Sequence, residues 1–347
     1  MNTRENVAYL KYFGPTVTFW KAINHIFVGY RHGGKIAWML HDVNNNVIEK
    51  YLKLVCPISY KGLQAGDYDG IDDVSPMTSY RCENSEELIN NVIWTMWWQG
   101  EENAPPIVKK CIESMRKHSN GHQVVVLSED NFQQYVKLPK AIIDRFTEHK
   151  ADKTDLKNIT LDQTKISDVV RTYLLYYYGG VWSDATMFFT KDIDELFFND
   201  KWETLGQDNT WYIGRGRWST FFMSAKAGNA FCKFNYDMHI EYWTNRKYYV
   251  NYLMTDHMFD IAYKERSKIR NMVDSVRCGN NECLTINRKY DQPVNRGEAE
   301  AFLEKQYLHK LSWKWWGRDS DAILVLKTSK GEQTWLGYLL ENFCKED

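Results

Sequence analysis

Two short stretches of this chain hold residues that could do chemistry together. Asp168 and Arg171 stand three apart in Ser167-Asp168-Val169-Val170-Arg171, and Asp184 follows in Gly179-Gly180-Val181-Trp182-Ser183-Asp184-Ala185-Thr186. On a helix that spacing puts Asp168 and Arg171 on one face. An acid paired to a guanidinium can hold sugar or ribose hydroxyls in a fixed geometry. The plainer reading of the same spacing is a helix-surface ion pair worth about a few tenths of a kcal/mol. A carboxylate at a strand end suits Mg2+ or Mn2+, which favour carboxylate, hydroxyl and water oxygens. Such a cation neutralises charge that builds on a departing diphosphate.

The elements that must position these residues follow an alternating rhythm. Val92–Trp98 is an apolar run stopped by Gln99-Gly100, and it predicts a buried strand ending in a turn. Pro105-Pro106 opens a helix over about 107–118, with Ile107, Cys111, Ile112 and Met115 at helical spacing. Gln123–Leu127 reads as a second strand. A helix near 165–178 then leads through Gly179-Gly180 into a strand over 180–189. Strands alternating with helices predict a mainly parallel sheet covered on both faces, with ligands at the carboxyl ends of the strands. Trp98-Gln99-Gly100, Ser128-Glu129-Asp130 and Asp184-Ala185-Thr186 would then share one rim.

Composition bounds the rest. The 347 residues carry a net charge of −1, with 44% hydrophobic and 26% charged residues, which gives no argument for nucleic acid as a partner. The 14 Trp and 22 Tyr suit sugar or base stacking, although core packing is the commoner use of such rings. Seven scattered cysteines and no secretory signal point to a reducing, cytoplasmic setting. Cys278 and Cys283 lack a second metal-ligating pair at matching spacing.

Residues 1–63 read as a basic amphipathic helical arm. Up to residue 61 it carries eight basic and three acidic side chains, interleaved with Tyr9, Phe13, Phe19, Trp20 and Ile23. Two readings stand for it: packing on the main domain, or peripheral contact with an anionic inner-membrane surface. Residues 64–90 form an acidic linker loop, and 91–347 form the main domain.

The stretch from Ile166 to Phe189 resembles family 32 glycosyltransferases with an Asp-x-Asp-related motif, most of all the capsular polysaccharide synthesis branch. Clostridial glucosylating toxins are more distantly similar. The resemblance implies a GT-A fold, Rossmann-like and nucleotide-sugar-binding, with a mixed, mainly parallel sheet. It also implies a UDP-sugar donor, an Mn2+ or Mg2+ ion and retention of anomeric configuration. Thr186 stands where the second Asp of Asp-x-Asp would be, which removes one charged ligand. By the same resemblance Trp98 would stack on uracil and Gln99 would contact the nucleoside. In Leu308-His309-Lys310-Leu311-Ser312-Trp313, His309 would complete the metal shell beside Asp184 and Thr186. Lys310 would meet the diphosphate, and Ser312 and Trp313 would belong to a flap.

Asp256, in an aromatic helical stretch, could orient an acceptor hydroxyl or steady the sugar cation; an Asp bonded to a neighbouring Lys or Tyr is the plainer reading. The implied acceptor is a glycan, lipid-linked if the arm lies on a membrane. A nucleotidyltransferase and a carbohydrate-binding scaffold with a degenerate metal site are the competing functions.

Overall fold

In the computed structural model the described residues are 3–28, 34–69, 86–152, 159–207, 213–277, 279–314 and 325–344. The chain divides into two compact units. One takes in Met1–Ile71, Leu138–Tyr173 and Ala230–Arg270; the other takes in Asp72–Lys137, Leu174–Asn229 and Asn271–Asp347. The N-terminal helices group with two later segments of the chain. Most of the acidic 64–90 stretch, and Cys278, lie outside the described residues.

The first unit is helical. It contains α1 (Thr3–Val28), α2 (Gly34–Val55), α3 (Pro57–Ala65), α5 (Lys140–Ala151), α8 (Ala230–Asn245), α9 (Met254–Glu265) and most of α6 (Gln163–Tyr177). In α1 the backbone breaks at Gly14, with φ 80° and ψ 172°, and Pro15 restarts the helix. Phe13 meets Tyr51 edge to face at 5.7 Å, and Asn24 Oδ1 lies 3.3 Å from His41 Nδ1. These pairings run in opposite directions along the two helices, so α1 and α2 form an antiparallel hairpin. Tyr9, Phe13 and Val17 face inward, whereas Phe19, Ile26, Ile36 and Met39 are exposed. Among the described residues no helix is long and apolar enough to cross a membrane.

The second unit is built on a five-stranded sheet of order β2-β1-β3-β6-β5. Its strands are β1 (Val92–Met96), β2 (Gln123–Leu127), β3 (Gly180–Ser183), β5 (Trp202–Thr204) and β6 (Phe222–Ala225). β1 pairs parallel with β2 and β3, whereas β6 is antiparallel to both β3 and β5, so four of the five strands point one way. The expected mixed, mostly parallel sheet is present. Ile93 and Trp94 are both fully buried, so β1 is covered on both faces. Helices α4 (Pro106–Lys117), α7 (Leu196–Asn199), α11 (Thr285–Lys289), α12 (Arg296–Lys305) and α13 (Trp335–Phe343) belong to this unit, and α10 (Ser267–Asp274) straddles the division.

One strand expected over 180–189 is two. After β3 the chain turns at Asp184-Ala185-Thr186 and enters β4 (Met187–Phe189), which pairs with β7 (Leu308–Lys310) in a separate two-stranded sheet. The Asp184 N–H donates to Phe221 O at 2.8 Å, and the Met187 N–H donates back to Asp184 O at 2.8 Å. This hydrogen-bonded turn ends β3 at the Asp184 position.

Gly179 and Gly180 start β3 with φ of 71° and 84°. A Cβ on Gly180 would collide with the Val92 carbonyl of β1, and one on Gly179 would lie 2.6 Å from Ala227 N. Trp94 Nε1 holds the Gly179 carbonyl at 3.0 Å. Gly180→Ala should therefore cost well over the roughly 1 kcal/mol of a mismatched glycine replacement. Urea denaturation measures it, and unchanged stability would mean that β1 and β3 leave room for a Cβ at Gly180.

Candidate active site

Asp184 leaves the end of β3 with both carboxylate oxygens engaged. Oδ1 accepts from Trp182 Nε1 at 3.0 Å, and Oδ2 accepts from Lys310 Nζ at 2.8 Å. Trp182 sits two residues earlier, and the period of two in a strand puts both side chains on one face. Lys310 Nζ also donates to Thr186 Oγ1 at 2.7 Å. The ammonium thus bridges the two motif residues, and it lies 5.2 Å from the centre of the Phe221 ring. The Lys310 and Asp184 side chains are 20% and 27% exposed, so the pair is reachable from solvent.

Lys310 is held by the β4–β7 ladder, in which Met187 pairs with Lys310 and Phe188 with His309. Its N–H donates to Cys283 O at 2.8 Å, and the Leu311 N–H donates to Thr186 O at 2.9 Å. Adjacent strand residues face opposite ways. Lys310 therefore reaches the Asp184 turn while His309 does not. The His309 ring is fully buried, 3.4 Å from Thr190 Oγ1 and 5.8 Å from the Phe302 ring centre. Burial lowers its pKa to about 3, so it stays neutral.

Along the same rim, Trp98 is buried. Its Nε1 donates to Glu129 Oε2 at 2.8 Å, and its ring packs on Phe132 at 5.2 Å. Gln99 is exposed and gives its carbonyl to Asn103 Nδ2. The half-buried indole here is Trp97, which meets Trp313 edge to face at 5.5 Å. Ser312 Oγ donates to Lys314 O and accepts from Lys314 N, so it closes a tight turn beside Trp313. The parallel β1, β2 and β3 bring the segments Trp98-Gln99-Gly100, Ser128-Glu129-Asp130 and Asp184-Ala185-Thr186 to their common carboxyl edge, as the alternating pattern implied.

A family match decides where this arrangement belongs. The description "Capsular polysaccharide synthesis protein" fits residues 73–324, well over half of the chain. The chain belongs to that family. No curated protein and no solved structure matches it. The capsule-synthesis match spans every strand of the sheet unit, β1 to β7, and the Asp184–Lys310 pair with them.

In the helical unit of this family member, Asp168 is buried in a charged cluster. Lys165 Nζ donates to its Oδ2 at 2.9 Å, and Arg171 Nη2 lies 3.2 Å from Oδ1. Lys165 is the residue the motif reading missed, although its spacing of three from Asp168 places it on the same helical face. Lys165 also donates to Tyr252 O at 2.6 Å, tying α6 to the segment before α9. Asp256 sits in the first turn of α9 and is half-buried. Burial pushes the Asp168 carboxyl up, but the charges of Lys165 and Arg171 outweigh it and hold the group below the ordinary carboxylate range. Buried His239 nearby is lowered to about 4 by desolvation. The Asp168–Arg171 pair is therefore a buried ion cluster, not a surface pair.

The fit of a divalent cation to the sheet-unit turn can be tested on the donor set. Among the described residues no group of three His, Cys, Asp or Glu side chains could hold a metal ion. At the turn itself Asp184 is the carboxylate, Thr186 offers a neutral hydroxyl, and both already accept from Lys310. With His309 facing the other way, these residues do not fit the expected cation shell.

The two aspartates should respond differently to neutralisation. Asp168→Asn removes the carboxylate that Lys165 and Arg171 share in the buried cluster and should cost about 3–5 kcal/mol, whereas Asp184→Asn, partly exposed, should cost about 1 kcal/mol or less. Because the folded Asp168 carboxyl titrates below its unfolded value, its contribution is present above the unfolded pKa and drains as pH falls through the folded one. Urea titrations of both variants across the acid range measure this, and equal losses would contradict the burial difference.

Proposed function

We propose that this capsule-synthesis family member is a glycosyltransferase. In this reading it moves a hexose or N-acetylhexosamine from a UDP-sugar onto a capsular glycan, with retention of configuration. The observation that carries it is the Asp184–Thr186–Lys310 cluster at the carboxyl edge of parallel strands. That edge is where open α/β sheets bind ligands. The family 32 likeness of the Gly179-to-Thr186 motif supports a GT-A arrangement and a nucleotide-sugar donor. A front-face displacement needs no dedicated base, since the departing phosphate oxygen can take the acceptor proton. The half-buried Trp97 and Trp313 suit a flat ring at this edge.

Incubation with a panel of UDP-sugars and a capsular acceptor should release UDP. Asp184→Asn should slow that release by about 10²–10³-fold, the loss typical of one preorganised electrostatic group, while the variant keeps its fold. Pyrophosphate release instead of UDP would assign nucleotidyl transfer. Tight glycan binding with no turnover of any donor would assign a binding scaffold.

The α1–α2 hairpin supports a lipid-linked acceptor and a cytoplasmic membrane surface as the working place. Its exposed Phe19, Ile26, Ile36 and Met39 lie on a segment with a local net charge of +5 over residues 1–61. The protein should float with phosphatidylglycerol vesicles and not with phosphatidylcholine vesicles, and Phe19→Glu with Ile36→Glu should lose most of that binding. Equal behaviour of wild type and variant would remove the arm from this account.

A further inference from the structure

We infer that Lys310 takes the place of a divalent cation, so that the chain binds and discharges its nucleoside diphosphate with a built-in ammonium. The inference rests on the nucleotide-sugar reading above and changes its electrostatics.

The geometry is specific. An ammonium at 2.8 Å from Asp184 Oδ2 and 2.7 Å from Thr186 Oγ1 sits between the two residues that would otherwise share the ion. The remaining Asp184 oxygen is held by the Trp182 indole. Thr186 matters here in its own right. A second Asp at that position would leave two carboxylates facing one ammonium, a surplus negative charge that a divalent ion would balance. With Thr186 the ammonium faces one carboxylate and one hydroxyl.

Lys310 is also positioned by backbone, not by chance of a flexible side chain. Its N–H is bonded to Cys283 O, and its strand is registered against β4 directly after the Asp184 turn. A lysine ammonium carries three N–H donors. Two of them point to Asp184 and Thr186, and tetrahedral geometry turns the third away from both. Asp184 and Lys310 are both partly open to solvent, so an incoming phosphate oxygen can accept that third N–H. The contact is a charge-assisted hydrogen bond of the stronger kind.

The step balances without a metal. The bond between the anomeric carbon and the diphosphate oxygen breaks, and its electron pair stays on the phosphate. The acceptor oxygen bonds the anomeric carbon, and the acceptor proton passes to the departing phosphate. Lys310 keeps its own proton throughout and supplies a fixed positive charge beside the oxygen that gains the pair.

Calorimetric titration of UDP into the full chain tests this, once with chelator and once with Mn2+. The expected result is the same affinity in both, within about twofold. Lys310→Ala should weaken UDP binding by about tenfold or more, as expected for loss of a charge-assisted contact. In that variant Mn2+ should recover part of the loss, because Asp184 and Thr186 are then released to an ion. Lys310→Arg keeps the charge and separates loss of charge from loss of fold, as does circular dichroism of each variant. Wild-type affinity that rises about tenfold or more with Mn2+ would overturn the inference while leaving the nucleotide-sugar reading intact. So would unchanged UDP affinity in Lys310→Ala. Failure to bind UDP under either condition would remove both together.

Discussion

The turn at Asp184 is the constraint on which the sheet unit's chemistry depends. One residue ends β3, donates its N–H to the Phe221 carbonyl and accepts from the Met187 N–H as the chain leaves for a second sheet. That change of sheet is what brings β7 alongside the turn, and with it Lys310. If β3 continued unbroken to Phe189, Asp184 and Thr186 would be mid-strand residues on one face of a ladder. The break converts them into a rim pair that a side chain from far along the chain can bridge.

The turn in turn depends on how β3 begins. Gly179 and Gly180 adopt backbone conformations that side chains rarely tolerate, at the point where β3 comes against the Val92 backbone. The Trp94 indole closes this approach on the Gly179 carbonyl. The double glycine is therefore a packing device whose consequence is felt four residues later, in where Asp184 emerges. A similar economy places Trp182, which uses the strand period to support the carboxylate that follows it.

Much of this was legible in the residues themselves. Val92–Met96 and Gln123–Leu127 are short apolar runs bounded by polar turns, and Pro105-Pro106 marks a helix start, so these elements fall where pattern puts them. The break between β3 and β4 was not legible, because Asp-Ala-Thr contains no glycine or proline and, Ser183 apart, the residues on either side are apolar. The helical unit was hidden for a different reason. Its segments are separated by the stretches 72–137 and 174–229, and nothing local says that 138–173 and 230–270 close on the N-terminal helices. Within the site, the strand period held information that the motif reading did not use. His309 and Lys310 are neighbours in β7, so they cannot both face the turn, and the structure turns Lys310 toward it.

Electrostatic setting explains why two aspartates of one motif play such different parts. Asp168 is buried between Lys165 and Arg171, where desolvation is large and only opposite charge keeps the carboxylate ionised. Such a group is costly to disturb, which suits a residue that fixes α6. Asp184 sits at a partly solvated rim, where water lowers the cost of changing partners. A divalent ion brought to about 4 Å from both the Lys310 ammonium and the Asp184 carboxylate, at an effective dielectric near 20, would lose to one about what it gains from the other, roughly 8 kcal/mol each. To reach Asp184 Oδ2 and Thr186 Oγ1 the ion must displace the lysine that already donates to both, whereas a phosphate oxygen can accept the third N–H with both contacts in place. At this turn the ammonium donates to the carboxylate and the hydroxyl and keeps one N–H for an incoming diphosphate oxygen.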